Sequence, residues 1–505
     1  MRRCFALFCI AAAAVAAQHF EHSRVCSLCH SKIAAGAENV APYALWRGSM
    51  KANSARDPYW RAKVREETSV NASAAVWIED KCLRCHAPAQ QYPYRTAKAG
   101  MRLSDLNELG EDGVTCTLCH QIKPDDLGKP ASFTAGFRIG EDDRIFGPHA
   151  SPFAMPMLHH TGYRPTQSAH VLDSALCGSC HTVITPTLDR NGKVIGEFVE
   201  QAPYLEWLAS DFAREGQTCQ TCHMPQLETA SYIAHMPPGG PFPPTRPRQP
   251  FGRHIFAGAN VRGAEMLSEL LPESAAGFTA ASARSTDMLS HSLELRAKTS
   301  WARPGVLEIA VEVENLSGHK LPTAYPSRRL WLHVTALDGA GRTVFESGGW
   351  DRATGELLTR SDQPHYPRIT SPDQVMVYEA EHADTTGRQT TSLLRAARYG
   401  KDNRILPRGF KSGDTRIAPV GTAPDPDFVP GRDRVVYEIA STSGRVPKTV
   451  VVEALYQTIK PGHARATAAL DNADAKRFEA LYSRHRDPVK VASVAVEVAV
   501  AVAPK

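Results

Sequence analysis

Apolar and polar residues alternate with a period of two through much of the second half of the chain, the pattern of strands with one buried face. Seven segments carry this pattern, and turn sequences such as LDGAGR separate several of them. The segments are HSLELRAK, VLEIAVEVENL, RLWLHVTALD, RTVFESGG, VVYEIAST, KTVVVEALYQ and VASVAVEVAVAV. The pattern predicts an antiparallel β-domain, most simply a sandwich, over residues 292–505.

The first half of the chain has few clean helical or strand periods, and a helical pattern over residues 263–291 joins it to the β-domain. A chain of 505 residues is too long for one ordinary hydrophobic core. We therefore predict an α + β multidomain protein, in which a mostly helical and loop-rich domain over residues 18–262 precedes the helical connector and the β-domain.

The N-terminus has the features of a secretory signal peptide. Two arginines precede an apolar stretch over residues 4–15, and small residues follow at Ala16 and Ala17. We expect residues 1–17 to be removed and the mature chain to be exported, to the periplasm or outside the cell. The apolar C-terminal segment alternates and carries Glu497, which favours a strand, so we expect no transmembrane segment in the mature chain.

Charge excludes one class of partner. A formal net charge of +5 is mild for this length, and the basic residues are scattered along the chain. A nucleic-acid-binding surface needs basic residues clustered on one face. We therefore predict that the protein does not bind nucleic acid.

The cysteines carry the most specific chemistry. All ten cysteines outside the signal peptide belong to C-x-x-C-H motifs. The motifs, numbered one to five in chain order, are Cys26, Cys29, His30; Cys82, Cys85, His86; Cys116, Cys119, His120; Cys177, Cys180, His181; and Cys219, Cys222, His223. In c-type cytochromes two such thiols bond to one porphyrin, and the adjacent histidine binds its iron.

Two other uses of paired cysteines were weighed. Disulfides would suit an exported protein but would not require five trailing histidines. Zinc sites also use cysteine pairs, yet they vary the spacing of the second pair. We therefore predict five covalently attached c-type haems, with the ten cysteines as attachment points and the five motif histidines as proximal iron ligands.

The distal iron ligands are less well defined by the sequence, because fifteen further histidines compete for five positions. His170 lies two helical turns before the fourth motif and is a candidate ligand for a neighbouring haem. His254 ends the proline-rich stretch 237–250, an extended segment that could hold it against an iron. His149 and the adjacent His159 and His160 lie in a loop-rich stretch that we expect to supply one more ligand.

On these motifs the chain resembles the multihaem c-type cytochromes related to cytochrome c-554-type electron carriers, and more distantly pentahaem nitrite reductase and hydroxylamine oxidoreductase. The matching pieces are the five motifs, ALWRGSMKANSARDPYW, RPTQSAHVLDSALCGSCH, FGRHIFAGAN and NLSGHKLPTAYPSRR. The segment NLSGHKLPTAYPSRR corresponds to a loop found in the family members that have a β-rich C-terminal domain. The resemblance implies packed haem pairs, mostly with two histidine ligands, that pass electrons along a chain.

The sequence departs from this family in two places. Many relatives have a histidine ligand in a W-x-x-S-x-H setting, whereas here Trp46 and Ser49 are followed by Lys51. Lys51 or Met50 could ligate instead, or that iron could be open, or both could be ordinary helix residues. The nitrite reductases bind their catalytic haem through C-x-x-C-K, and no motif here ends in lysine.

The loop over residues 315–329 places one more histidine among the candidates. His319 could reach a haem across the domain boundary, with Gly318 permitting close approach and Pro322 stiffening the loop. Four arginines, in this loop and in RYGKDNRILPRGF, could pair with haem propionates or an acidic partner. They are Arg328, Arg329, Arg404 and Arg408, the last two otherwise expected in a solvated loop.

The sequence favours an exported electron carrier whose partners are redox proteins. An alternative is a multihaem oxidoreductase acting on a small nitrogen or sulfur compound at one five-coordinate haem. A third hypothesis makes the chain a structural subunit that assembles through its β-domain, so oligomers are possible.

Overall fold

A computed structural model describes residues 20–235, 245–423, 425–441 and 445–499. The predicted signal peptide and most of the proline-rich stretch lie outside these ranges. Within them, no helix is both long and apolar enough to cross a membrane.

The N-terminal region, residues 20–260, consists of short helices and two-stranded sheets. Its helices are α1 Arg24–His30, α2 Pro42–Arg47, α3 Pro58–Val70, α4 Ala75–His86, α5 Pro88–Thr96, α6 Glu108–Glu111, α7 Cys116–Gln121, α8 Met155–Thr161, α9 Ser174–Gly178, α10 Pro203–Leu208, α11 Asp211–Arg214 and α12 Cys219–His223. Its strands are β1 Ala34–Ala35, β2 Glu38–Asn39, β3 Arg144–Gly147, β4 Arg164–Gln167, β5 Val183–Leu188 and β6 Val194–Gln201. A proline in the first turn starts several of these helices, because its fixed φ suits that position.

Two helices follow where the sequence predicts a connector, α13 Val261–Leu270 and α14 Ala275–Ser290. A short turn that contains Pro272 separates them. Proline cannot continue a helix from the preceding turn, so the predicted helical segment is divided in two.

The C-terminal region contains two sheets and two helices. Its strands are β7 Leu293–Arg303, β8 Val306–Asn315, β9 Arg329–Leu337, β10 Thr343–Ser347, β11 Arg368–Ile369, β12 Val377–Ala383, β13 Arg398–Asp402, β14 Arg432–Ala440, β15 Thr449–Gln457 and β16 Val489–Glu497. Helices α15 Pro461–Ala468 and α16 Ala473–Tyr482 lie between the last two strands. One sheet has the order β13-β12-β9-β15-β16 with β10 also on β9, and the other has the order β11-β14-β8-β7.

All seven predicted strand segments form strands, and the predicted α + β architecture is confirmed. In the described part of the C-terminal region the ladders are antiparallel except for the short β11, which pairs in parallel with β14 and so corrects the prediction of a wholly antiparallel β-domain. Sequence periodicity missed β12 because six of its seven residues are buried, so its two faces do not differ in polarity.

One hydrophobic core fills the space between the two sheets. On β8, Leu307, Ile309 and Val311 are fully buried and alternate with partly exposed residues. Val450 and Val452 of the other sheet belong to the same cluster. The period-two pattern therefore marks the faces on which the sheets pack together.

The two halves of the molecule are closely joined. Thr187 Oγ1 donates to the Ala396 carbonyl at 2.6 Å, and the Leu188 amide donates to the Leu394 carbonyl at 2.7 Å. A second contact is apolar: Phe478 of α16 packs in one cluster with residues of α3 and α13. The C-terminal region can therefore place side chains inside the N-terminal one.

Candidate functional site

Short helical turns position most of the C-x-x-C-H motifs. Helices α1, α4 and α12 end at the motif histidine, and α7 runs through the third motif. One helical turn places residues three apart on the same side, so the two thiols of a motif face one ligand. The fourth motif differs, because α9 ends at Gly178 and the second cysteine and the histidine follow it.

Four of the five motif histidines have the same orientation. Nδ1 of each lies at hydrogen-bond distance from a main-chain carbonyl oxygen. When Nδ1 carries the proton and donates it to this oxygen, the lone pair of Nε2 stays available for a metal. The pairs are His30 with Ile233 at 2.7 Å, His86 with Ser54 at 2.9 Å, His120 with Phe146 at 2.6 Å and His223 with Ala257 at 2.6 Å. Burial lowers the pKa of His86 and of His223 to about 4, so both rings are neutral as ligands must be.

The ten motif cysteines are free thiols, and none forms a disulfide. Among the described residues, the group of side chains arranged to hold a metal ion contains no cysteine. These arrangements favour neither the disulfide nor the zinc alternative. Free thiols beside neutral imidazoles with an unoccupied Nε2 are the groups that covalent haem attachment requires.

Thiols from different motifs lie next to each other. Three pairs of thiols are close enough to shift one another's pKa, which are Cys26 with Cys116, Cys85 with Cys180, and Cys177 with Cys219. The Cys119 thiol is also close enough to Cys180 for their charges to interact. The fourth motif therefore borders the second, the third and the fifth.

His254 lies face to face with His120, the histidine of the third motif. The rings of His120 and His254 have centroids 6.2 Å apart and planes inclined by 18°. Nδ1 of His254 is 2.9 Å from the Gly252 carbonyl oxygen, and burial lowers the pKa of His254 to about 4. Each ring therefore has a neutral Nε2 with no hydrogen-bond partner among the described residues.

The loop over residues 315–329 places His319 in the same relation to the fifth motif. The rings of His223 and His319 have centroids 6.3 Å apart and planes inclined by 14°. Nδ1 of His319 is 3.0 Å from the Lys320 carbonyl oxygen. Gly318 packs against Trp207 and Phe212, where an added Cβ would lie 3.3 Å from both rings, so close approach is needed there.

The fourth motif has a lysine as its neighbour. Nζ of Lys51 lies 2.6 Å from Nε2 of His181, and the Lys51 charge lowers the pKa of His181 well below its usual range. Met50 points elsewhere, because an added Cβ on Gly263 of α13 would lie 3.4 Å from its terminal carbon.

Other candidate histidines are not paired with a motif histidine in the described part of the chain. Ser168 Oγ lies 2.7 Å from Nδ1 of His170, and the Ile122 carbonyl oxygen lies 2.8 Å from its Nε2. His149 is half-buried, and burial lowers its pKa. His160 Nε2 lies 3.3 Å from the Val25 carbonyl oxygen, near the first motif. These residues stay predictions as distal ligands.

The arginines lie in protein contacts that the sequence did not indicate. The expectation of a solvated loop is wrong for Arg404, which is buried and pairs with Asp402 at 2.7 Å and with Glu206 at 3.0 Å. Arg408 is exposed and pairs with Glu215. The remaining two also bind oxygens of the protein: Arg329 donates to Gln457 and the Gly355 carbonyl, and Arg328 to the Thr323 carbonyl and Asn260.

Sequence reasoning missed one further neighbour of a motif histidine. The Trp60 ring stacks on His86 with centroids 4.3 Å apart and planes inclined by 8°. A tryptophan in the first turn of α3 gives no signal of this role, because half-buried aromatic residues are common in amphipathic helices.

Comparisons with known proteins agree with these motifs. Residues 25–121 match the family described as cytochrome c554 and c-prime. The chain is also similar to the solved penta-heme cytochrome c552 from Thermochromatium tepidum, with 17% sequence identity and a TM-score of 0.55 over 95% of this chain and 99% of that chain. At this identity the likeness shows a shared fold, and no curated protein matches the chain. The predicted resemblance to multihaem c-type cytochromes is confirmed.

Proposed function

We propose that this chain, a multihaem c-type cytochrome that transfers electrons, is exported and carries five covalently bound haems, one on each C-x-x-C-H motif. The observation that carries the proposal is the repeated arrangement of the motif histidines, four of which bond to a carbonyl through Nδ1 and keep Nε2 free. The haems supply the one-electron chemistry, and the protein sets their potentials through axial ligands and burial. Its partners are redox proteins.

Two distal ligands follow from the ring pairs. We assign His254 to the iron of the third motif and His319 to the iron of the fifth. Two histidine ligands give a low-spin haem suited to electron transfer rather than to substrate binding. His319 comes from the C-terminal region, so on this proposal that region completes a haem site.

The neighbouring thiols support an order for the haems. We propose that the first haem lies beside the third, the third beside the fourth, and that the second and fifth both lie beside the fourth. Cys222 is exposed, whereas the other nine motif cysteines are half-buried. Electrons would therefore enter or leave at the fifth haem.

The haem count and the ligand assignment are tested on the holoprotein. Haem and iron analysis should give five of each per chain, and an electron-paramagnetic-resonance spectrum of the oxidised protein should contain low-spin signals. His319→Ala should convert one haem in five to a high-spin signal. The matched control is His291→Ala, which removes an exposed histidine at the C-terminal end of α14. Five low-spin haems in His319→Ala would refute the assignment.

A second function is favoured by a buried polar cluster between the two halves of the molecule. Tyr325 Oη, His382 Nε2 and Glu66 Oε2 are buried and have no hydrogen-bond partner among the described residues. His463 lies against Tyr325, with ring centroids 6.0 Å apart, and its Nδ1 is 3.4 Å from Tyr59 Oη. Unpaired buried polar atoms are costly, so they favour a bound molecule that satisfies them.

This cluster adjoins the second motif. Burial and the charges of Glu200 and Glu67 raise the pKa of the Cys82 thiol, so these carboxyl groups lie near the haem attachment point. In the described part of the chain, no other histidine ring faces that of His86. An open second haem next to tyrosine and histidine would allow reduction of a small nitrogen or sulfur compound, as the alternative hypothesis requires.

The two functions are separated by turnover. If the second applies, the reduced protein should consume nitrite, hydroxylamine or sulfite catalytically, and Tyr325→Phe should lower kcat by roughly 100-fold or more, the usual effect of losing a proton donor. Tyr437→Phe removes another buried tyrosine hydroxyl without a partner, in the core between the sheets, and should leave kcat unchanged. No turnover of these compounds by the unaltered protein would leave electron transfer as the function.

A further inference from the structure

Lys51 points at the fourth motif along the direction in which His181 would bind an iron, and its amine must draw back to about 4 Å from Nε2 to leave room for a metal between the two nitrogens. Its Nζ lies 2.6 Å from His181 Nε2, although the two residues are 130 positions apart in the chain. Nε2 is the nitrogen that motif histidines use for iron. The lysine side chain therefore points at the coordinating atom.

The main chain of Lys51 is fixed in this place. Its carbonyl oxygen accepts from the Val114 amide at 2.9 Å, just before the third motif. Gly113, with φ at +65°, lies against the same carbonyl, and a Cβ added there would be 2.6 Å from that oxygen. The main chain of Lys51 is therefore fixed, and only its flexible side chain has to adjust for Nζ to bind the iron.

Lys51 is half-buried, and it differs in its partners from four other lysines that are buried or half-buried. Lys63, Lys320, Lys401 and Lys460 each lie within 3.2 Å of at least one carboxylate oxygen. Lys51 has no carboxylate within ion-pair distance in the described part of the chain, and its nearest polar contact is an imidazole. An ammonium group this close to an imidazole nitrogen, with no carboxylate beside it, is unfavourably placed.

We propose that the neutral amine of Lys51 is the sixth ligand of the iron held by Cys177, Cys180 and His181. This inference rests on the proposed haem attachment at the fourth motif. Ligation removes a positive charge that has no carboxylate partner, because the amine binds through its lone pair. It closes the central haem to substrates and makes it a six-coordinate relay between its neighbours. Of the two residues that the sequence offers as ligands here, the proposal selects Lys51, because Met50 packs on Gly263 instead.

The test is the spin state of the oxidised, full-length holoprotein. Lys51→Ala should convert one low-spin haem to high-spin relative to the unaltered protein, and Lys51→His should restore the lost low-spin signal with altered signal positions. Met50→Ala is the matched control and should leave all signals unchanged.

Two results would overturn the assignment. One is unchanged low-spin signals in Lys51→Ala, and the other is a high-spin signal in Met50→Ala that the unaltered protein lacks. Haem content measured on the same samples separates this failure from that of the proposed function. Five haems with an unaffected spectrum would reject only the lysine ligand, whereas fewer than five would reject the haem count. The spin state is measured without an activity assay, so the test applies whether the protein is an electron carrier or an enzyme.

Discussion

Asp402 is the residue through which we expect the greatest single effect on stability. It is fully buried at the end of β13, with Lys320 Nζ at 2.6 Å and Arg404 Nε at 2.7 Å. Lys320 directly follows His319, so this cluster holds the loop that reaches the fifth motif. Asp402→Asn keeps the shape of the side chain and removes its charge, leaving the two cations with Glu206 alone.

The size of the effect follows from the charges. Burial raises the pKa of Asp402, but Arg404 and Lys320 outweigh it and hold the pKa at about 2, below the usual 3.8. At about 1.4 kcal/mol per unit, this difference corresponds to roughly 2.5 kcal/mol. The asparagine variant also leaves two buried cations undercompensated, and breaking a buried pair costs about 3–5 kcal/mol. We expect a loss of about 3–5 kcal/mol in the free energy of unfolding.

Urea unfolding followed by Soret absorbance and tryptophan fluorescence measures this loss. The folded pKa lies below the unfolded one, so the contribution is present above about pH 4 and is lost as pH falls towards 2. The difference in unfolding free energy between the unaltered protein and Asp402→Asn should therefore become smaller in acid. Asp414→Asn breaks a more exposed pair with Arg416 and should cost less than about 1 kcal/mol. A cost below about 1 kcal/mol for Asp402→Asn near pH 7 would refute the reasoning.

Three further changes test the packing around the site. Phe478→Ala empties a fully buried position between α16 and the N-terminal region and should lower the unfolding free energy by about 3–5 kcal/mol in urea titration. Gly113→Ala should displace the Lys51 carbonyl and produce the high-spin signal expected of Lys51→Ala; an unchanged spectrum would contradict this. Hydrogen bonds to Glu265 and then to Glu269 raise the pKa of His485, so its stabilising effect is present below about pH 6.5 and is lost as pH rises. His485→Ala should therefore lower the urea midpoint more at acidic than at alkaline pH.

Two things could be derived from the sequence because they depend on local spacing. A C-x-x-C-H motif places two thiols and an imidazole within one helical turn, so the proposed attachment points could be predicted without knowledge of the fold. The period-two segments identified seven strands because one face of each packs on the core and the other does not. Where both faces are buried, as in β12, the pattern vanished.

Only the tertiary structure decided which side chains meet. His170 lies close to a motif in sequence, yet both its ring nitrogens face other protein groups. His319 lies far from every motif, yet its ring faces that of His223. Lys51 is 130 positions from His181 and approaches it within 2.6 Å. A metal's second ligand is selected by the packing of whole elements against each other, and no local pattern along the chain records that packing.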